Sequence, residues 1–164
     1  MTTIQQIQTL LGVLADNKWG PKTQAALDAL IKPSGWKNVM ASTFADPADV
    51  AAFRRCKAKG NSDMTCFAVG DNGVGAWGDN TADGPPMCAL PPEDLVEKWG
   101  SVIGGKHRDV VVLHDGKEYR CIVGDLMPHR RNIKNGCGLD MNPSLCKLIG
   151  HTPPATVPIA WKWA

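Results

Sequence analysis

No stretch of this sequence approaches the roughly 20 consecutive apolar residues that a membrane-spanning helix needs. The opening MTTIQQIQTLLGVL has no basic leading region and spaces its apolar residues amphipathically, so it does not read as a signal peptide. Export is therefore expected by another route, or after a leader has been removed upstream of this numbering. A large charge excess is missing too. A net charge of +2 gives no ground for a nucleic-acid partner. No CxxC pair occurs and the four histidines are scattered, so neither a zinc site nor any cofactor is expected. At 43% hydrophobic and 21% charged residues, the composition also excludes disorder.

What is present is a chain of 164 residues, enough to bury one real core with a small appendage. Its 17 glycines and 12 prolines gather after residue 32, which points to a loop-rich, mainly β second part. The six cysteines, an even count in a small loop-rich domain, suit disulfides and an oxidising compartment. Sequence does not choose among their pairings; Cys56–Cys66 is the best-placed local bridge, and several free buried thiols are the alternative.

Residues 3–11 set Ile4, Ile7, Leu10 and Leu11 on one helical stripe. A turn at Asp16-Asn17 follows. Gly20-Pro21 then opens a second helix, whose buried face is expected to be Ala26, Leu27, Leu30 and Ile31. Lys32-Pro33-Ser34-Gly35 ends it as a linker. The string DNKWGPKTQAALDAL resembles the D-G-x-W-G-P-x-T-x-x-A-(V/L) core of small helical peptidoglycan-binding domains, with Asn17 in place of the turn glycine. The likeness implies a minimal binding module over residues 1–32, with Trp19 among its ligand contacts.

Asp46, Pro47 and Asp49 are the N-cap, N1 and N3 signals of a helix through residue 58. Val50 and Phe53 would be buried, with Arg54, Arg55 and Lys57 solvated. From residue 66 the pattern becomes extended and glycine-punctuated. RDVVVLHDGKEYRCIVGD holds Asp115-Gly116 between two β-rich runs, a hairpin signal. PPEDLVEKWG and NPSLCKLIG read as short helices, the latter with Asn142 as N-cap. TVPIAWKWA alternates as a final strand, with Pro158 marking an edge or a bulge.

The order of motifs over residues 73–163 resembles the six-stranded double-psi β-barrels of cell-wall proteins: expansins, rare-lipoprotein-A-type lytic transglycosylases and family 45 glycoside hydrolases. GVGAWGDN is similar to their opening strand and CALPPEDL to their A-L-P step. VGDLMP is similar to V-x-D-x-x-P, and GLDMNPSLCKLIG to their D-L-S-x-x-A-F-x-x-L-G segment. The resemblance implies a fold that is mainly β with an α appendage. It comprises the helical module 1–32, a linker and packing helix over 33–65, and a double-psi barrel over 66–164.

It also implies a general acid at Asp140 and a second carboxylate at Asp125 or Asp79. Glycosidic cleavage needs one protonated carboxyl for the leaving oxygen and one ionised partner. Each aspartate has a structural alternative: Asp140 bonding amides near Asn142, Asp125 forming an Asx-turn, Asp79 serving a turn. Met87 and Cys88 stand where the transglycosylase branch carries a histidine, which shifts weight to the aspartates. His129, Arg130, Arg131 and Lys134 could hold substrate carboxylates, and Trp77 could stack on a sugar. The expectation is an extracellular, periplasmic or wall-associated monomer that cleaves a β-1,4-linked glycan, most directly peptidoglycan. The alternatives are a non-catalytic expansin-like polymer-loosening protein and a secreted inhibitor or defence barrel.

Overall fold

The computed structural model describes residues 1–20, 22–23 and 35–164. It divides into two compact units, Met1–Trp36 and Lys37–Ala164. In the first, helix α1 spans Thr3–Leu10 and starts on a capping box between Thr2 and Gln5. Leu10, expected on the buried stripe, faces solvent instead, and Gln8 is the buried residue of the helix. The Gln8 amide donates to Asp16 Oδ1 at 2.8 Å, Lys18 O at 2.9 Å and Thr23 Oγ1 at 3.1 Å, and accepts from Asn17 N at 3.0 Å. A polar residue thus organises the turn, and its bonds offset its burial. Asn17 has φ 62°, the left-handed conformation that asparagine tolerates nearly as glycine does. The replacement of the turn glycine is conformationally conservative. Pro21, Ala26, Leu27, Leu30, Ile31 and residues 32–34 lie outside the described residues.

The second unit is a closed six-stranded barrel in the order β1-β5-β2-β4-β3-β6. Its strands are β1 (Lys37–Thr43), β2 (Met87–Leu90), β3 (Asp109–His114), β4 (Lys117–Leu126), β5 (Cys137–Met141) and β6 (Val157–Trp163). β1/β5 and β2/β4 are parallel, and the other neighbours are antiparallel. Inward residues such as Leu90, Val112, Val123, Leu139, Met141 and Trp161 fill the lumen as one core. The β3–β4 hairpin turns at Asp115-Gly116, both with positive φ, as predicted from that dipeptide.

The barrel starts earlier than residue 66. Lys37–Thr43, assigned from sequence to the linker, is its first strand, and its partner Asp140 lies 98 residues beyond Ser42. GVGAWGDN, expected as the opening strand, is a clasp closed by one bridge, Val74–Asn80, and by Gly75 N to Asp79 O at 2.9 Å. Its glycines allow close crossing: a Cβ on Gly75 would stand 2.2 Å from the Gly124 carbonyl of β4. Pro158 is not on a sheet edge, since β6 is paired on both sides. The β3 ladder stops at Leu113–Ala160, however, so Pro158 is spared a bond on that flank.

Helix α2 (Pro47–Ala58) is capped by buried Asp46, which accepts from Ala48 N at 2.8 Å and Asp49 N at 3.1 Å. Val50 and Phe53 face inward as expected. The Cys56–Cys66 disulfide ties α2 to the short α3 (Asp63–Cys66). Cys88, Cys121, Cys137 and Cys146 are buried free thiols, so both readings of the cysteines hold in part. Two further α-helices of this unit are α4 (Pro92–Trp99) and α5 (Pro143–Leu148).

Candidate active site

Strand register assembles the site. Ala89 of β2 pairs with Asp125 of β4 on one flank and Asp140 of β5 on the other. Asp140 in turn pairs with Ser42 of β1. Cross-strand partners project to the same face, so Asp125, Ala89, Asp140 and Ser42 form one row. Two strand spacings put the aspartate Cα atoms on the order of 10 Å apart, with only the alanine methyl between them.

The row opens into a cleft of about 730 Å³. Asp49 of α2 and Asp71 of the following loop join Asp125 and Asp140 in lining it, and no lysine or arginine does so among the described residues. Gly70 brings Asp71 in: a Cβ there would be 2.3 Å from the Asp49 carbonyl oxygen, so only glycine lets the loop lie against the helix. Phe44, Phe67 and Val74 supply apolar wall. Among the described residues no group of three or more His, Cys, Asp or Glu side chains converges as a metal cage.

The carboxyls differ in their partners. Asp125 Oδ1 accepts from Ala76 N at 2.8 Å and Leu126 N at 2.7 Å. Burial pushes its pKa up to about 6 against those two amides, and Asp71 and Asp140 add to the rise. Asp140 Oδ1 accepts a hydrogen bond from the Ser42 hydroxyl. Its pKa is raised by burial, and the Ser42 bond opposes the rise. Asp49 is pushed to about 6, chiefly by burial and then by Asp46 and Asp71. Burial raises Asp71 as well, with the Gly73 amide opposing. Withdrawal from water raises all four carboxyls, and repulsion from neighbouring aspartates adds to the rise at Asp49 and Asp125.

The structural alternative for Asp140 is taken by its neighbour. Asn142 Oδ1 accepts from Leu145 N and Met87 N, both at 2.9 Å, so the α5 cap is made without Asp140. Asp125 does part of a turn's work through Oδ1, while Oδ2 has no hydrogen-bond partner among the described residues. Asp79 does not line the cleft; its Oδ2 lies 2.7 Å from His107 Nε2. Trp77 packs on the core and edge-on to His107, with centroids 6.3 Å apart. His129 Nδ1 is 3.0 Å from Glu93 Oε1, and Arg130 pairs with Asp94, which fastens the basic loop to α4. Arg131 is exposed. Lys134 lines a smaller adjoining depression of about 310 Å³ together with Asp140, Asn132 and Asn135. Trp19 is exposed in the first unit.

Asp49, Asp71 and Phe67 are cleft residues that sequence reasoning missed. Asp49 read as a helix-start residue, and Asp71 was not singled out. Their only sequence signal is Gly70, whose role depends on a long-range contact.

These features define a class: a closed six-stranded β-barrel with an acid-lined surface cleft. No family model matches the chain, and no curated protein matches it significantly. Among solved structures, Streptomyces papain inhibitor aligns with a TM-score of 0.49 at 14% identity, covering 80% of this chain and 96% of that one. That likeness says nothing about activity, so the case for function rests on the cleft's own chemistry.

Proposed function

We propose that the barrel unit is a double-psi cell-wall barrel that cleaves a β-1,4-linked glycan, most directly peptidoglycan, by carboxylate acid–base catalysis. The observation that carries this reading is the row Asp125–Ala89–Asp140 in an open cleft without cations, both carboxyls being shifted upward. Asp140 has a single hydroxyl donor and is the general acid, protonating the leaving glycosidic oxygen. Asp125 has two amide donors that favour its ionised form; it activates water or stabilises positive charge at the sugar. Asp125 thus takes the role of second carboxylate for which Asp79 was the other candidate. Phe67, rather than Trp77, offers an aromatic face at the cleft, and Lys134 is placed to meet a substrate carboxylate. The Cys56–Cys66 disulfide supports an oxidising, extracytoplasmic setting.

The test is incubation of the full chain with purified peptidoglycan and other insoluble β-1,4-glycans, counting new reducing ends and anhydro-sugars. Wild type should release products, while Asp140→Asn should bind the polymer equally and release none. Binding without new ends in wild type would instead identify a non-catalytic, expansin-like protein.

A further inference from the structure

The cleft does not end at Asp140. Met127, Pro128 and Asp140 line both the cleft of about 730 Å³ and the adjoining depression of about 310 Å³, so the two spaces meet at that carboxyl. Their charges differ. Asp49, Asp71 and Asp125 line the larger space, whereas Lys134 lines the smaller one with Asn132 and Asn135.

The basic loop carries His129, Arg130, Arg131 and Lys134, and the structure separates them. His129 is engaged with Glu93 and Arg130 with Asp94. Arg131 lines neither space. Lys134 lines the depression, and among the described residues its ammonium makes no ion pair or hydrogen bond. Nor does it cancel the proton affinity of the acid it adjoins: burial raises the Asp140 pKa, and the opposing group is the Ser42 hydroxyl. Lys134 is therefore a cation left open to a ligand.

The loop that presents it is fastened on both sides. Upstream, His129 and Arg130 tie it to α4. Downstream, Asn135 Oδ1 accepts from Cys137 N at 3.0 Å, and Asn135 Nδ2 donates to Ser42 Oγ at 3.4 Å, the same hydroxyl that bonds Asp140. A loop already held loses less freedom when a ligand binds. Met127, Pro128 and Ile133 add apolar lining, and the volume sits at the lower end of ligand pockets, on the order of 300 Å³. Such a lining with one ammonium suits a sugar that bears a carboxylate, held by a charge-assisted bond. Where the aspartates of the larger space ionise, they repel the same group.

We propose that this depression is a carboxylate subsite on one side of the scissile bond. The inference rests on the glycan-cleaving reading above and adds a directional rule to it. The acidic sugar lies on the Lys134 side of Asp140, and an uncharged sugar lies on the acid-lined side. In a polymer whose acidic and uncharged sugars alternate, only every second linkage is seated this way. The other placement would set a carboxylate among Asp49, Asp71 and Asp125. Every cut therefore leaves the same kind of sugar at the new end. The carboxylate is the lactyl group of a peptide-free strand or a peptide carboxylate of an intact one.

The test gives the full chain two matched pairs of polymer: intact peptidoglycan and peptide-stripped strands, each beside a copy whose carboxyl groups are reduced to alcohols. Wild type should cleave a native polymer with a KM roughly tenfold below that for its reduced copy. Mass spectrometry should find one kind of sugar at the new ends. Preference within the stripped pair assigns the lactyl carboxylate, and preference confined to the intact pair assigns a peptide carboxylate. Lys134→Ala should bring the preference to within about twofold, while Lys134→Arg should keep most of it. Pull-down of wild type and Asp140→Asn with the same four polymers reads the subsite without turnover. Carboxylate-preferring binding with no products from wild type would refute cleavage and sustain the subsite. Equal treatment of native and reduced polymers, mixed sugars at the new ends, or an undiminished preference in Lys134→Ala would overturn the subsite and leave cleavage standing. Failure to bind any of the four would overturn both.

Discussion

Asp94 and the pair Asp125–Asp140 are both withdrawn from water within the barrel unit, yet their surroundings have opposite signs. Asp94 is 2% exposed, and the same oxygen meets Lys37 Nζ at 2.6 Å and the Arg130 guanidinium. Two cations offset its desolvation, and the result fastens β1 and the basic loop to α4. The cleft acids are less deeply buried and make no ion pair among the described residues, and their pKa values move upward. Cations let a buried carboxylate stay charged and serve as a structural tie; without them burial raises its affinity for a proton.

The contrast predicts separable mutational effects. The largest is Asp140→Asn, which should reduce glycan turnover by roughly 10²–10⁴-fold with urea unfolding unchanged or slightly improved. Asp94→Asn should do the reverse: product release per folded molecule is retained, while unfolding free energy drops by about 1–3 kcal/mol. That is less than for a fully buried pair, because both cations keep access to water. If Asp94→Asn abolished turnover in a stably folded protein, the division between the two regions would collapse.

A third prediction follows from linkage. The folded-state pKa of Asp125, about 6, lies above its ordinary 3.8, so the native protein binds more protons than the unfolded chain. Its contribution to stability is therefore present at low pH and is lost as pH rises from about 3.8 through about 6. Asp125→Asn should stabilise by on the order of 1–2 kcal/mol near pH 7, with the cleft's access to solvent screening the full shift. Near pH 4 the gain should vanish. Urea unfolding of both proteins at the two pH values checks the sign, and a larger gain at the acid end would refute it.

The smallest effect is expected at Ser42. Its hydroxyl lowers the Asp140 pKa against burial, so Ser42→Ala should move the alkaline limb of kcat/KM upward by up to about one pH unit. An unmoved limb would mean that Asp140 is not the acid being titrated.

How legible these regions were in the sequence depends on the range of the forces that make them. The Asp46 cap, the Asp115-Gly116 hairpin, the Cys56–Cys66 bridge and the α5 start at Asn142 were all readable, since each is decided by residues within a few positions of one another. Lys37–Thr43 was not read as a strand, because its alternation is weak and both its partners come about a hundred residues later. Asp79 was drawn toward the cleft by its place in a motif, but the clasp turns it to His107. Asp49 and Asp71 arrived unannounced, through the approach of Gly70 to α2.

Sequence by itself determined the local pieces: which residues cap, turn, alternate or can bridge, and that Asp125 and Asp140 flank a loop. Only the tertiary structure decided that these acids share one face with Ala89 between them, and that Gly70 lies against α2 and brings Asp71 into the cleft. The physical reason is register. Strand side chains alternate in direction, so a slip of one residue between β2, β4 and β5 would turn an aspartate into the lumen. Barrel closure and core packing select the register, and neither is written in any short stretch of the chain.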